Sequence, residues 1–162
     1  MQRLVLFSLV AIIGIAGCST NYTRDDEFTM PMEIQGMTIQ GTQTGEEAAK
    51  ILEGLHRKPV AAQDNVVTTY GMAPRQATIY LSRFSNGQEA KDQVAAMVEG
   101  IESGPSGFFN HDTIKVDETK VHTVTGHGQD HAFFSMKDQV IWISVPEGMG
   151  EVALAEVLGL GK

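Results

Sequence analysis

The sequence has one cysteine and one tryptophan among its 162 residues. Cys18 has no second cysteine with which to pair, so the fold cannot depend on a disulfide within the chain. Basic residues are also scarce, since 12 lysines and arginines stand against 20 aspartates and glutamates, a formal net charge of −8. An acidic balance of this kind argues against nucleic-acid binding and against a basic surface that attracts anionic lipid.

Motifs of common catalytic sites are missing as well. No serine lies in a G-x-S-x-G elbow, and neither a phosphate-binding loop nor a dinucleotide fingerprint occurs. Adjacent carboxylates occur at 25–26, 46–47 and 117–118, in a tether, a helix start and a loop, where solvation explains them. We therefore expect a protein without enzymatic activity and without a cofactor.

The first eighteen residues have the organisation of an export signal. Arg3 supplies a positive charge, and the segment from Leu4 to Ala16 is almost wholly apolar. This segment is shorter than the ~20 residues of a membrane-spanning helix, but it suits the apolar region of a signal peptide. The stretch Ile15-Ala16-Gly17-Cys18 then resembles the lipobox of bacterial lipoproteins, with a branched apolar residue, two small residues and a cysteine in order.

The resemblance implies a lipid on Cys18, cleavage before it and acylation of the new amino group. The chain would then comprise a signal peptide (1–17), a lipidated cysteine with a polar tether (18–27) and a single domain (28–162). Two or three acyl chains give stable attachment to a membrane. This predicts a protein of the cell envelope and, because Ser19 follows the cysteine, the periplasmic face of the outer membrane in a Gram-negative source. The alternatives are a cleaved secretory signal or a membrane-core helix with a chance cysteine.

The rest of the chain predicts an α+β domain, with two main helices packed on an antiparallel sheet and a short C-terminal helix. Thr44 and Glu47 form a capping box for the first helix, whose apolar residues recur at helical spacing. The second helix is expected to begin near Ser85, and the last covers Gly150–Leu158. Strands between and after the helices do not alternate regularly with them, which favours antiparallel pairing. The apolar stripe of the first helix is predicted to comprise Ala48, Ile51, Leu52 and Leu55.

One hairpin brings two histidines close together. A turn at 127–128 pairs His122 with Phe133 and places His122 and His131 on one face as diagonal neighbours. Two imidazoles at that spacing could share a zinc or copper ion, which makes a metal-binding envelope protein the alternative function. Asp130 points to the opposite face in this register and supplies no third ligand. The other interpretation is that His122 and His131 are ordinary strand residues that bind no metal.

The last two strands are apolar on both sides. With a three-residue loop after Met136, this residue lies opposite Val140 and Phe134 lies opposite Trp142. Either both faces are covered within the fold, with Phe108 and Phe109 as cover, or one face binds an envelope protein, a second copy or an apolar ligand. The predicted binding residues are Phe133, Ile141, Trp142 and Ile143.

Overall fold

The computed structural model describes residues 27–55 and 60–160. The predicted signal peptide, Cys18 and most of the tether lie outside these residues. The described chain forms eight strands and three helices. In chain order they are β1 (Glu33–Ile34), β2 (Met37–Thr44), α1 (Gly45–Leu55), β3 (Asp64–Met72), β4 (Arg75–Arg83), α2 (Gly87–Glu102), β5 (Phe108–Val116), β6 (Thr119–Gly126), β7 (Gln129–Met136), β8 (Gln139–Pro146) and α3 (Gly150–Val157).

The strands form a single curled sheet in which every neighbouring pair is antiparallel. Their order is β1-β2-β3-β4-β8-β7-β6-β5, so two runs of sequential strands join through β4 and β8. The prediction of an antiparallel sheet with three helices is therefore confirmed in outline. The sheet makes up most of the molecule. No helix among residues 27–55 and 60–160 is long and apolar enough to cross a membrane.

A tight turn at Gly36 joins β1 to β2. Gln35 and Gly36 both have positive φ, and Ile34 pairs directly with Met37. β1 comprises only Glu33–Ile34, and residues 28–32 before it are not in a strand. Phe28 is nevertheless buried in the largest hydrophobic cluster, and its backbone N–H donates a 2.9 Å hydrogen bond to the buried side chain of Gln139.

The hairpin between β6 and β7 has the predicted register. His122 lies opposite Phe133, and His131 lies opposite Val124. The turn residues 127–128 both have positive φ, which glycine adopts without strain and histidine tolerates less readily. The two histidines therefore lie on the same face of the sheet, as the sequence predicts.

The register predicted for β7 and β8 is wrong by one residue. The loop has two residues rather than three, so Met136 lies opposite Gln139. Lys137, with φ of +53°, supplies the left-handed conformation that such a short loop requires. Because a shift of one residue moves a side chain to the other face, Trp142 lies opposite Phe133 and not Phe134.

The two faces of the sheet belong to different hydrophobic clusters. We call one the core face, since its side chains form the largest cluster together with Phe28 and with buried residues of α3. The other, which we call the ring face, has most of the aromatic and imidazole rings. The core face includes Ile79, Leu81, Phe134, Ile141 and Ile143. The ring face includes His122, His131, Phe133 and Trp142, with Phe108 from the start of β5.

The first two helices each bury only two residues. Of the stripe predicted for α1, Ala48 and Leu52 are buried in a small cluster, whereas Ile51 and Leu55 are 36 % and 61 % exposed. Ala90 and Val94 of α2 are buried in the cluster of the ring face. Asn86, rather than Ser85, caps α2, because its side chain accepts hydrogen bonds from two backbone N–H groups of the first turn.

Candidate functional site

Four rings lie side by side across the ring face, one on each of the strands β8, β7, β6 and β5. Trp142 and Phe133 are stacked with ring centres 4.8 Å apart, and Phe133 and His122 follow at 5.2 Å. The strand register explains this order, since these residues are direct cross-strand partners. His111 extends the row, with its ring centre 5.3 Å from that of His122.

A bulge in β5 brings His111 into the row. The pairing of β5 with β6 shifts between Phe109 and Asp112, and Asn110 has φ of +54°. Because the bulge inserts an extra residue on this strand, the side chains of both His111 and Thr113 approach the same nitrogen of His122. This contact depends on the irregularity, and the sequence has no glycine there to signal it.

A carboxylate completes a chain of three titratable groups. Glu102, the last residue of α2, lies 2.8 Å from Nδ1 of His111. Nε2 of His111 lies 3.1 Å from Nδ1 of His122, and the two rings are within 18° of parallel. The two ring centres are 5.3 Å apart and the two facing nitrogens are 3.1 Å apart, and the difference is close to the sum of the two ring radii. The facing nitrogens therefore point at each other head-on.

His131 occupies a separate hydrogen-bonded pocket on the same face. Its Nε2 lies 3.1 Å from the carbonyl oxygen of Gly126, and its Nδ1 lies 2.8 Å from the hydroxyl of Ser144 and 3.2 Å from the indole N–H of Trp142. A carbonyl only accepts and an indole only donates, so Nε2 carries the proton and Nδ1 accepts. Burial lowers the pKa of His131, and the bond to Gly126 partly opposes this. The ring is therefore held neutral.

Phe108 covers this pocket edge-on. Its ring centre lies 5.1 Å from that of His131 and 5.2 Å from that of His127, with ring planes nearly perpendicular, and it lies tilted 5.4 Å from Trp142. The predicted role of Phe108 as cover is therefore confirmed. The neighbouring Phe109 is 56 % exposed. Alternation along the strand directs it away from the ring face.

The predicted metal ligands share a face, but their nitrogens face different partners. Nδ1 of His122 faces His111 and Thr113, and both nitrogens of His131 have protein partners. Within residues 27–55 and 60–160, no group of three histidine, cysteine, aspartate or glutamate side chains could hold a metal ion. The zinc or copper site stays a prediction that this geometry does not favour.

The four predicted binding residues are divided between the two faces. Phe133 and Trp142 lie on the ring face, whereas Ile141 and Ile143 lie on the core face. Of the four, only Trp142 is accessible: it is half-buried, and each of the others is at most 2 % exposed. The division follows from the two-residue loop after Met136, which the sequence prediction took as three residues.

The hydrogen-bonded groups of the ring face can hold and pass protons. His122 and His131 are both buried, and burial lowers the pKa of each, so both rings are neutral bases at neutral pH. Ser144 is the hydroxyl nearest to an imidazole, but its oxygen also lies within 3.0 Å of the indole N–H of Trp142. Comparison with protein-family models, curated proteins and solved structures finds no significant match to this chain.

Proposed function

We propose that this chain is a lipid-anchored protein of the cell envelope, without catalytic activity, whose domain binds a protein partner or an apolar ligand. The lipobox at residues 15–18 carries the first part of the proposal. In a Gram-negative source, Ser19 after the cysteine favours the outer membrane, with the domain facing the periplasm.

The way the chain enters the domain supports a short and firm attachment. Phe28 is buried and hydrogen-bonded to Gln139, and the side chain of Glu27 lies against Arg83 and Gln139. The preceding residues 18–27 span at most about 35 Å when fully extended. A domain attached in this way stays close to the membrane surface and works on partners that reach that layer.

We place the accessible part of the binding site at Trp142 and Phe108. Trp142 is half-buried and lies beside Phe133, and buried residues of α2 belong to the same cluster. Large amphipathic rings such as tryptophan are enriched in recognition sites because one side is apolar and one end forms hydrogen bonds. Ile141 and Ile143, on the core face, support this site from behind.

Lipidation is tested by labelling in a bacterial host. Cells expressing the full chain are grown with a palmitate analogue, and the protein is recovered from membranes and measured by intact mass. We expect label on the wild type and on Ser19→Ala, and complete loss of label in Cys18→Ser. An unlabelled wild-type chain that retains Met1 would contradict the anchor.

Binding is tested by site-specific crosslinking in the native envelope. A photo-crosslinking amino acid is placed at Trp142, and a matched control is placed at Val152, which is 57 % exposed on α3. We expect an adduct of defined mass at position 142 and none at 152. A strictly monomeric domain that takes up no apolar dye and forms the same adducts at both positions would exclude binding through the ring face.

A further inference from the structure

We propose that a cleft between Tyr80 and Trp142 on the ring face binds the acyl chain of a single-chain amphiphile, the class that includes fatty acids. This inference rests on the proposed function, because it names the ligand for the binding site at Trp142. Tyr80 on β4 and Trp142 on β8 are direct cross-strand partners, so their side chains leave the sheet side by side on one face. Both side chains are half-buried.

The two rings lean away from each other. Trp142 packs towards β7, where its ring stacks on Phe133 with the planes 11° apart. Tyr80 instead packs against the cluster that contains Leu52 of α1 and Val67, its cross-strand partner on β3. Because Phe133 covers one face of the indole, and β4 and β7 flank β8, the opposite face is turned towards Tyr80. The two rings therefore form the sides of a cleft.

The cleft lies between the two helices of the ring face. α1 packs mainly on β2 and β3, and α2 mainly on β7 and β8, so β4 runs between them. The two helix axes are then about three strand spacings apart, or about 14 Å along the sheet. Since helices that pack on each other are about 8–10 Å apart, a width of about 5 Å is left over. This width fits one extended hydrocarbon chain and is too narrow for a helix.

The polar ends of both rings are bonded within the protein. The indole N–H of Trp142 lies 3.0 Å from the hydroxyl of Ser144 and 3.2 Å from Nδ1 of His131, and both partners are buried. Burial raises the pKa of Tyr80, and a hydrogen bond with Thr78 partly opposes this effect, so the phenol stays neutral. Because Thr78 lies directly opposite Ser144, both polar ends are turned towards the same end of the cleft.

A ligand between the rings therefore meets hydrocarbon surface. In the part of the chain that the structure describes, no buried side-chain nitrogen or oxygen lacks a hydrogen-bond partner. The floor of the cleft thus has no buried polar group that a ligand must satisfy, whereas a polar ligand would lose its own hydrogen bonds to water there. An alkyl chain loses none, and its removal from water is favourable.

The membrane is the source of the acyl chain. The proposed tether holds the domain within about 35 Å of a bilayer. A single acyl chain binds a bilayer only marginally, so a single-chain amphiphile exchanges readily between the membrane and the cleft. The chains proposed on Cys18 are a poorer source, because two or three of them are needed for stable attachment.

The test uses Trp142 as the reporter, because it is the only tryptophan in the chain. The full chain is reconstituted in phosphatidylcholine nanodiscs and titrated with a dibrominated stearate, whose bromine atoms quench an indole that they touch. We expect saturable quenching of the tryptophan fluorescence, which excess unlabelled stearate reverses. No quenching, or quenching that neither saturates nor reverses and so comes from collisions in the bilayer, would overturn the proposal.

A matched pair of variants locates the site. Tyr80→Ala removes one side of the cleft and should weaken the affinity for the probe by about tenfold, as for the loss of one aromatic contact. Tyr80→Phe keeps the ring and should bind the probe as the wild type does. Wild-type affinity in Tyr80→Ala, with an unchanged circular dichroism spectrum, would contradict the cleft; if this variant does not fold, the competition with stearate in the wild type decides.

Further outcomes separate this inference from the proposed function. A protein crosslinked at position 142, in a chain whose fluorescence the probe does not quench, would overturn the acyl-chain ligand and leave the proposed binding function in place. The absence of both the adduct and the quenching would overturn both. Quenching that appears only in the unlipidated Cys18→Ser would show that the chain's own lipid fills the cleft, and would overturn a ligand from the membrane.

Discussion

Both faces of the sheet have a buried apolar cluster, but the two faces differ in chemistry. The core face packs Ile79, Phe134 and Ile141 against α3 and Phe28 in the largest cluster of the molecule. Its one buried phenol, that of Tyr70, donates to a backbone carbonyl, and burial raises its pKa to about 12, so it stays neutral. The ring face instead contains two buried histidines with hydrogen-bond partners. One face therefore provides stability, and the other adds groups that respond to protons.

The largest expected effect is on the core face. Phe134→Ala removes a fully buried ring and should lower the free energy of unfolding by about 3–5 kcal/mol, through lost burial and the cavity left behind. Urea denaturation followed by circular dichroism measures it. Val152→Ala on the exposed side of α3 should change the same quantity by at most about 0.5 kcal/mol. Similar losses for the two variants would show that the core face is not the stabilising one.

A smaller effect is expected in the pocket of His131. His131→Leu keeps most of the volume but leaves the Gly126 carbonyl, the Ser144 hydroxyl and the indole N–H without this partner. The free energy of unfolding at neutral pH should fall by about 1–3 kcal/mol, the penalty of an unsatisfied buried polar group. A variant as stable as the wild type would show that the hydrogen bonds of this pocket contribute no net stability.

The same residue should make stability depend on pH. Because burial lowers the pKa of His131 in the folded state, the unfolded chain binds more protons once the pH falls below about 6.5. This contribution is complete above that value and decreases as the pH falls towards the folded-state pKa. The slope of unfolding free energy against pH, at most about 1.4 kcal/mol per pH unit for one proton, should be shallower in His131→Leu than in the wild type. An unchanged slope would show that the pH dependence does not come from His131.

The smallest effect is expected where the tether enters the domain. Arg83 pairs with Glu27 and, at 3.7 Å, with Asp138, but its side chain and that of Glu27 are partly exposed. Solvent screens such pairs, so Arg83→Gln should change the free energy of unfolding by at most about 1 kcal/mol. The loss should shrink further in high salt, and a salt-independent loss above that size would indicate a role in packing instead.

The hairpin of β6 and β7 was predictable from local chemistry. Gly128 adopts positive φ without strain, and the alternation of its flanking strands specifies one register. The next hairpin was not predictable in this way. Its turn has no glycine, and the apolar residues on both sides of β8 fit either register, so alternation could not choose between them. The buried side chain of Gln139 accepts a hydrogen bond from the backbone N–H of Phe28, a contact between residues far apart in the chain.

Part of the site likewise could not be predicted from the sequence. His122 was identified from its spacing to His131, but its partner in the structure is His111, which a bulge in β5 turns towards it. A bulge at a non-glycine position leaves little signal in composition. Glu102 joins them only because α2 ends above that strand, and the path of a helix over a sheet depends on the whole packing.

By itself the sequence determined the element types and the first histidine hairpin, because these depend on short-range spacing, caps and turn residues, whereas the export signal and its lipobox stay predictions. Only the tertiary structure decided which face each side chain occupies and which imidazoles meet. A one-residue change of register exchanges the faces of a strand, and the free energy that selects the register comes from contacts between distant parts of the chain.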